Sequence, residues 1–161
     1  MKLKSKRVVG VEKISQKKED KMSEFTLHQM LANDCIELID FPLSKLLLMN
    51  DSQYPWFVLV PRIKDIQDIY QLDWSQQQQL LNESSLLSEL LMDTFQGRKM
   101  NVAALGNICP QLHIHHIVRF EQDKSWPKPV WGSFSAIAYS ENEIEALKLK
   151  IIPALKTILA Q

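Results

Sequence analysis

Cysteine is nearly absent: Cys35 and Cys109 are the only two in 161 residues, far apart and without a CxxC spacing. Such a chain has no disulfide framework, and a reducing compartment is its default setting. Long apolar runs are missing as well; none reaches the roughly 18 residues that a membrane span needs. No apolar stretch follows the basic N-terminus, which excludes a secretory signal and makes the cytoplasm the simplest address. Net charge is also lacking, with 19 Lys/Arg against 19 Asp/Glu, but the balance hides an asymmetry. Residues 1–21 hold eight Lys/Arg and three acids, a net +5, and the remainder holds 11 basic and 16 acidic residues, a net −5. An acidic body argues against a nucleic-acid-binding domain. Residues 1–24 show no sustained periodicity and read as a basic, disordered extension.

What is present is an ordinary globular composition, 45% hydrophobic and 24% charged, in a length that fits one domain. Residues 25–161 contain no internal repeat and no dividing linker. Phe25 to Leu31 allows one or two helical turns. Cys35 to Ile39, Lys45 to Met49 and Trp56 to Val60 read as strands, the third ended by Pro61. Leu80, Leu87, Leu91 and Phe95 form one apolar stripe, predicting a helix over 75–95 capped by Asp73 or Ser75 and ended by Gly97. Asn101 to Leu105 and Gln111 to Phe120 read as fourth and fifth strands. Ser140 and Glu143 form a capping box for a last helix, which Pro153 is expected to kink or split. Short connections favour antiparallel pairing, so the fold class is α+β: about five antiparallel strands, a long central helix and a C-terminal helix.

Three of the four histidines fall in Gln111-Leu112-His113-Ile114-His115-His116. Alternation along a strand puts Gln111, His113 and His115 on one face, and Leu112, Ile114 and His116 on the other. Three readings fit that face. The histidines can be structural. His113 and His115 can share a metal ion, although no Cys or acid lies at ligand spacing and Gln is a poor third donor. Or His113 can attack a phosphate as a neutral imidazole, with His115 donating a proton to the leaving oxygen.

Gln111 to Arg119 resembles the signature of the histidine-triad (HIT) superfamily, His-φ-His-φ-His-φ-φ with φ apolar, often followed by Pro-Arg. Arg119 matches the Arg after the motif, and Gly106-Asn107 is similar to the Gly-Gln or Gly-Asn pair ahead of it. In this register His113 is the middle histidine, His115 the third, and Gln111 stands in place of the first. His116 occupies a φ position, and Val118 replaces the common Pro. The run Leu46 to Pro61 is similar to the strand–turn–strand of the nucleoside pocket. The resemblance spans about residues 25–133.

The resemblance implies a HIT-like fold and hydrolysis or transfer at the α-phosphate of a purine nucleotide conjugate, such as a dinucleoside polyphosphate or a nucleoside phosphoramidate. His113 would form a covalent nucleotidyl intermediate, with its other nitrogen donating to a backbone carbonyl. Asn101, Asn107, His115 and backbone N–H groups would stabilise the phosphate, and Asn50 or Asp51 would take the ribose hydroxyls. Each of these four Asn/Asp residues equally suits a plain turn or strand end. Leu46, Leu48 and Phe57 either line the base pocket or pack the core. No metal or other cofactor is required, a bound nucleotide is compatible with the site, and a homodimer is the usual assembly. The partner is a small nucleotide, with neither nucleic acid nor membrane. A weakly catalytic nucleotide-binding module is the alternative that Gln111 favours, and a His-cluster metal protein is the second.

Overall fold

A computed structural model describes residues 25–160; the expectation of a disordered extension at 1–24 lies outside them. A short helix α1 (Gln29–Asp34) leads into β1 (Cys35–Asp40), β2 (Ser44–Met49) and β3 (Trp56–Pro61). The long helix α2 (Trp74–Phe95), β4 (Lys99–Ala103), β5 (Ile114–Arg119) and α3 (Glu141–Leu159) follow. All neighbouring strands pair antiparallel, in the order β1-β2-β3-β5-β4. This is the expected α+β arrangement.

The sheet is covered on both faces, which explains why β2 and β3 read as nearly unbroken apolar runs. On one face Leu46, Leu48, Phe57, Leu59, Ile114 and Val118 pack against Leu80, Leu87 and Leu91 of α2 and Ile151 and Leu155 of α3. Leu46, Leu48 and Phe57 are thus core residues. On the other face Leu47, Trp56, Val58, Val60 and Ile117 are covered by Leu31, Cys109 and Val130, with Trp131 beside them. The histidine segment therefore enters the sheet between β3 and the edge strand β4, where both faces are covered. In register, His115 sits between Val58 of β3 and Ala103 of β4, and His116 sits between Phe57 and Val102.

Several element limits differ from the sequence expectation. The ladder of β5 begins at Ile114, so Gln111 to His113 precede the strand. β4 starts two residues earlier than Asn101. Asp73 caps α2 by accepting from the Gln76 N–H, within a capping box. Its C-terminal residue in the left-handed region is Gln96 (φ 54°), not Gly97. Glycine is needed at 97 for another reason: a Cβ there would overlap Val118 Cγ1 on β5. Pro153 does not split α3, which runs continuously through it. Pro153 is exposed and the residue four before it, Leu149, is 77% exposed, so the carbonyl that loses its helical donor is on the watered side.

Glu83 is the polar exception in the core, 1% exposed on α2. Its carboxylate accepts from Leu43 N–H at 2.6 Å, Ser44 N–H at 3.1 Å and the Gln79 amide at 3.0 Å. It thus ties the start of β2 to the long helix. Removing it strands buried donors, each costing about 1–3 kcal/mol. Glu83→Ala should lower unfolding free energy by about 3 kcal/mol in urea titration, with Glu83→Gln retaining part of it. A loss no larger than that of an exposed Glu would show that the β1–β2 turn does not depend on this carboxylate.

Candidate active site

Two imidazoles face the cavity side of the sheet, and each is held in one tautomer. His113 Nδ1 lies 2.7 Å from Gln111 O. A carbonyl only accepts, so Nδ1 carries the hydrogen and Nε2 keeps its lone pair. His115 is the reverse. The Trp56 indole N–H donates to its Nδ1 at 3.0 Å, and an indole N–H cannot accept. The ring hydrogen therefore sits on Nε2, which donates to Leu105 O at a longer 3.3 Å. The two imidazole centroids are 4.8 Å apart, and Trp56 and Trp131 meet His115 edge-on at 5.5 and 5.3 Å. Burial, reinforced by His113, pushes the His115 pKa down to about 4.

Gly106 stands against His113. A side chain there would lie 2.9 Å from Cys109 O and 3.2 Å from His113 Cε1. The loop after β4 can close on the imidazole edge only because this position has no Cβ. His113 lines two hollows. One, of about 390 Å³, is mostly apolar, with Met30, Met49, Leu105, Trp56 and Trp131 in its walls and Asn107 and His115 beside His113. The other, about 250 Å³, is polar and holds Gln67, Asp68, Asn107 and Gln111. A third hollow of about 440 Å³ adjoins the first through Asp34, Met49, Trp56 and Trp131 and reaches Asn50 and Asp51.

The remaining residues singled out from the sequence divide between the site and its supports. Asn107 lines both hollows at His113. Gln111 precedes the ladder, as His113 does, and lines the polar hollow beside it. Its amide donates to Thr26 O at 2.9 Å and accepts from His28 N–H at 2.8 Å, stitching the segment before α1 to the histidine strand. Asn101 Oδ1 accepts from Arg119 at 2.8 Å. Asn50 Oδ1 accepts from Tyr139 N–H, and Asp51 Oδ1 accepts from Gln53 and from Ile137 N–H, so both anchor the segment before α3 while lining the third hollow. Among the described residues no group of three or more His, Cys, Asp or Glu gathers as a metal set.

Arg119 is 1% exposed and forks onto both Asp123 oxygens at 2.8 and 2.9 Å, with Asn101 and Lys128 O as further acceptors. Burial pushes the Asp123 carboxyl up, but the Arg119 contact and the Phe120 and Trp126 N–H groups outweigh it and hold it below its ordinary value. This network fixes the loop that delivers Trp131 to His115. Sequence reasoning missed Trp56. Only the pairing of Val58 with His115 shows that Trp56, two residues away on the same face, lies within reach.

On the opposite face His116 is fully buried. Its Nδ1 donates to Ile114 O at 3.1 Å and its Nε2 accepts from Ser84 Oγ at 2.7 Å.

A sequence profile of the HIT domain family matches residues 31–122. A histidine triad protein from Marinobacter aquaeolei VT8 is 51% identical, covering 83% of this chain and 97% of its own, with a TM-score of 0.81. A histidine triad protein from Bradyrhizobium japonicum is 42% identical over 80% of this chain and 96% of its own, TM-score 0.79. One from Sinorhizobium meliloti 1021 is 38% identical over 82% and 98%, TM-score 0.80. Comparison with curated proteins yields no match.

The tautomers carry a stability consequence. Burial pushes both His115 and His116 down to about 4, below the ordinary value of 6.5. Between those values the unfolded chain binds protons that the folded chain refuses. Their contribution is therefore complete above pH 6.5 and is lost as pH falls toward 4. Between pH 7 and pH 5 each imidazole should cost on the order of 2 kcal/mol of unfolding free energy. Urea titration at the two pH values reads this directly; equal midpoints would mean that these imidazoles are not held neutral by the fold.

Proposed function

The chain belongs to the HIT domain family, and from that premise we propose that it hydrolyses a purine nucleotide conjugate at the α-phosphate, through a covalent nucleotidyl-His113 intermediate. The observation that carries this reading is the His113 tautomer. With Nδ1–H held by Gln111 O, the Nε2 lone pair is available inside a cavity that also contains His115 and Asn107. An oriented neutral imidazole is a good nucleophile at neutral pH.

The chemistry runs in two displacements. Nε2 of His113 forms a bond to phosphorus as the bond to the leaving group breaks. Water then attacks phosphorus and the P–N pair returns to Nε2, releasing the nucleoside monophosphate. Charge on the non-bridging oxygens needs donors already aimed at it. Asn107 and the Nε2–H of His115 stand in the same cavity for that task. The aromatic walls of Trp56 and Trp131 suit a stacked base, and Asn50 and Asp51 border the adjoining hollow on the ribose side. Dinucleoside polyphosphates and nucleoside phosphoramidates both meet these requirements. The chemistry uses no cofactor. We place the protein in the cytoplasm as a homodimer. Both cysteines are free thiols, and the edge strand β4 leaves Val102 50% exposed for a second copy to cover.

A nucleotide-binding module with little turnover is favoured by one specific observation. Gln111 directs its amide to Thr26 and His28 instead of presenting a third imidazole to the phosphate.

His113→Ala separates the two readings. For the hydrolase, kcat/KM on a dinucleoside polyphosphate or an adenosine phosphoramidate should fall by about 10³-fold or more, with nucleotide binding retained. Mass spectrometry of quenched wild-type reactions should show a nucleotidyl group on His113. Hydrolysis by the variant at the wild-type rate would remove His113 from the mechanism.

A further inference from the structure

We propose that this site cleaves phosphoric and acyl-phosphoric anhydrides of a nucleotide in preference to phosphoramidates, because Trp56 and the Gln111 tether together leave it without an imidazole that can protonate a leaving group. The inference rests on the reading of His113 as the nucleophile and narrows its substrate class.

Each proton source at the site fails for its own reason. His113 attacks, so its Nε2 bonds phosphorus, while its Nδ1–H is held by Gln111 O. His115 could act as an acid only by first taking a second proton at Nδ1. That nitrogen accepts the Trp56 indole N–H at 3.0 Å, and two N–H groups cannot point at each other. The ring is enclosed by Trp56 and Trp131, is 4% exposed, and lies 4.8 Å from His113. It can offer its single Nε2–H as a hydrogen bond, and the long 3.3 Å contact to Leu105 O is easily exchanged for a phosphate oxygen. The first triad position carries Gln111, whose amide holds no transferable proton and faces Thr26 and His28. The His28 imidazole accepts from Met30 N–H and lines a separate hollow that His113 does not reach. In the His113 cavities Asn107 is an amide, Asp34 and Asp68 lie on solvent-exposed rims, and burial raises the Cys109 thiol, which makes it hold its proton.

The two bond types respond differently to that lack. In an anhydride the P–O electron pair goes to a phosphate or carboxylate oxygen, an anion already stable at neutral pH, and no proton is required. In a phosphoramidate the nitrogen must gain a proton as the P–N bond breaks, since an amine does not depart as its anion. General acid catalysis typically contributes about 10²–10⁴-fold, and the substrate that depends on it forgoes that factor here.

The test measures kcat/KM of the full chain on a dinucleoside polyphosphate and on an adenosine 5′-phosphoramidate of a primary alkylamine. The anhydride should be preferred by at least about 100-fold. Trp56→Phe removes the indole that both encloses His115 and donates to its Nδ1, which opens that nitrogen to water and a proton. The preference should then narrow by about tenfold or more, whereas mere damage to the fold would slow both substrates alike. Gln111→His, which returns an imidazole to the first triad position, should narrow it in the same direction and serves if the Trp56 variant does not fold. Equal rates on the two substrates by the wild type, or a ratio unchanged in the folded variants, overturns the proposal. Failure of the parent reading looks different: neither substrate turns over and no nucleotide is trapped on His113.

Discussion

An imidazole enclosed by the fold takes its tautomer from the neighbour that donates to it or accepts from it, and that constraint organises this site. The sheet is covered on both faces, so His113, His115 and His116 are 5%, 4% and 0% exposed. Desolvation keeps His115 and His116 uncharged, and a polar group left without a partner away from water is costly. What differs among the three is which nitrogen receives a donor and which receives an acceptor. A carbonyl on Nδ1 leaves His113 with a lone pair facing the cavity. An indole N–H on Nδ1 leaves His115 with a hydrogen facing the same cavity. A carbonyl and a serine hydroxyl close both nitrogens of His116 within the core. Three identical side chains thus acquire three characters from the carbonyl or indole that meets Nδ1 in each.

Those neighbours must themselves be fixed, and most of the polar structure around the site does that. Arg119 is the clearest case. Its buried fork holds Asp123, Asn101 and the Lys128 carbonyl, joining β4, β5 and the loop that ends in Trp131. A planar guanidinium matches these acceptors in a way that an ammonium would not. Asp51 and Asn50 do similar work on the far side of the cavity, holding the segment at 137–139. The cavity walls are therefore built by long-range polar contacts laid over a sheet that hydrophobic alternation specifies.

That division explains what the sequence made legible. Periodicity exposed the strands, the α2 stripe and the sorting of His113, His115 and His116, because each depends on local geometry. The resemblance supplied the middle histidine and the family. Three things were beyond local reading. Trp56 belongs to an apolar strand, and nothing near it in sequence shows that its indole N–H meets an imidazole 59 residues away. Gln111 lines the polar hollow beside His113, but nothing near it in sequence shows that its amide meets Thr26 and His28, 85 and 83 residues away. Pro153 breaks an isolated helix rule, yet α3 continues because Ile151 and Leu155 are buried on either side of it while the proline faces water. In all three, tertiary contact decides what the local pattern leaves open.

The substitution at Gln111 then takes on a meaning that a motif comparison does not give it. Read as a missing histidine, it suggests a weakened enzyme. In place, its two amide hydrogen bonds fasten residues 26–28 beside the Gln111 carbonyl that orients His113. The same residue therefore removes one ionisable group and supports the carbonyl on which the nucleophile's tautomer depends. An imidazole in that place offers one acceptor and one donor only by adopting a particular tautomer, whereas an amide offers both at once and does not titrate. Such a support keeps its hydrogen bonds at every pH at which the fold survives. With Gln111 unable to titrate and burial beside Trp56 keeping His115 neutral, neither neighbour on the cavity face supplies a proton to the chemistry at His113.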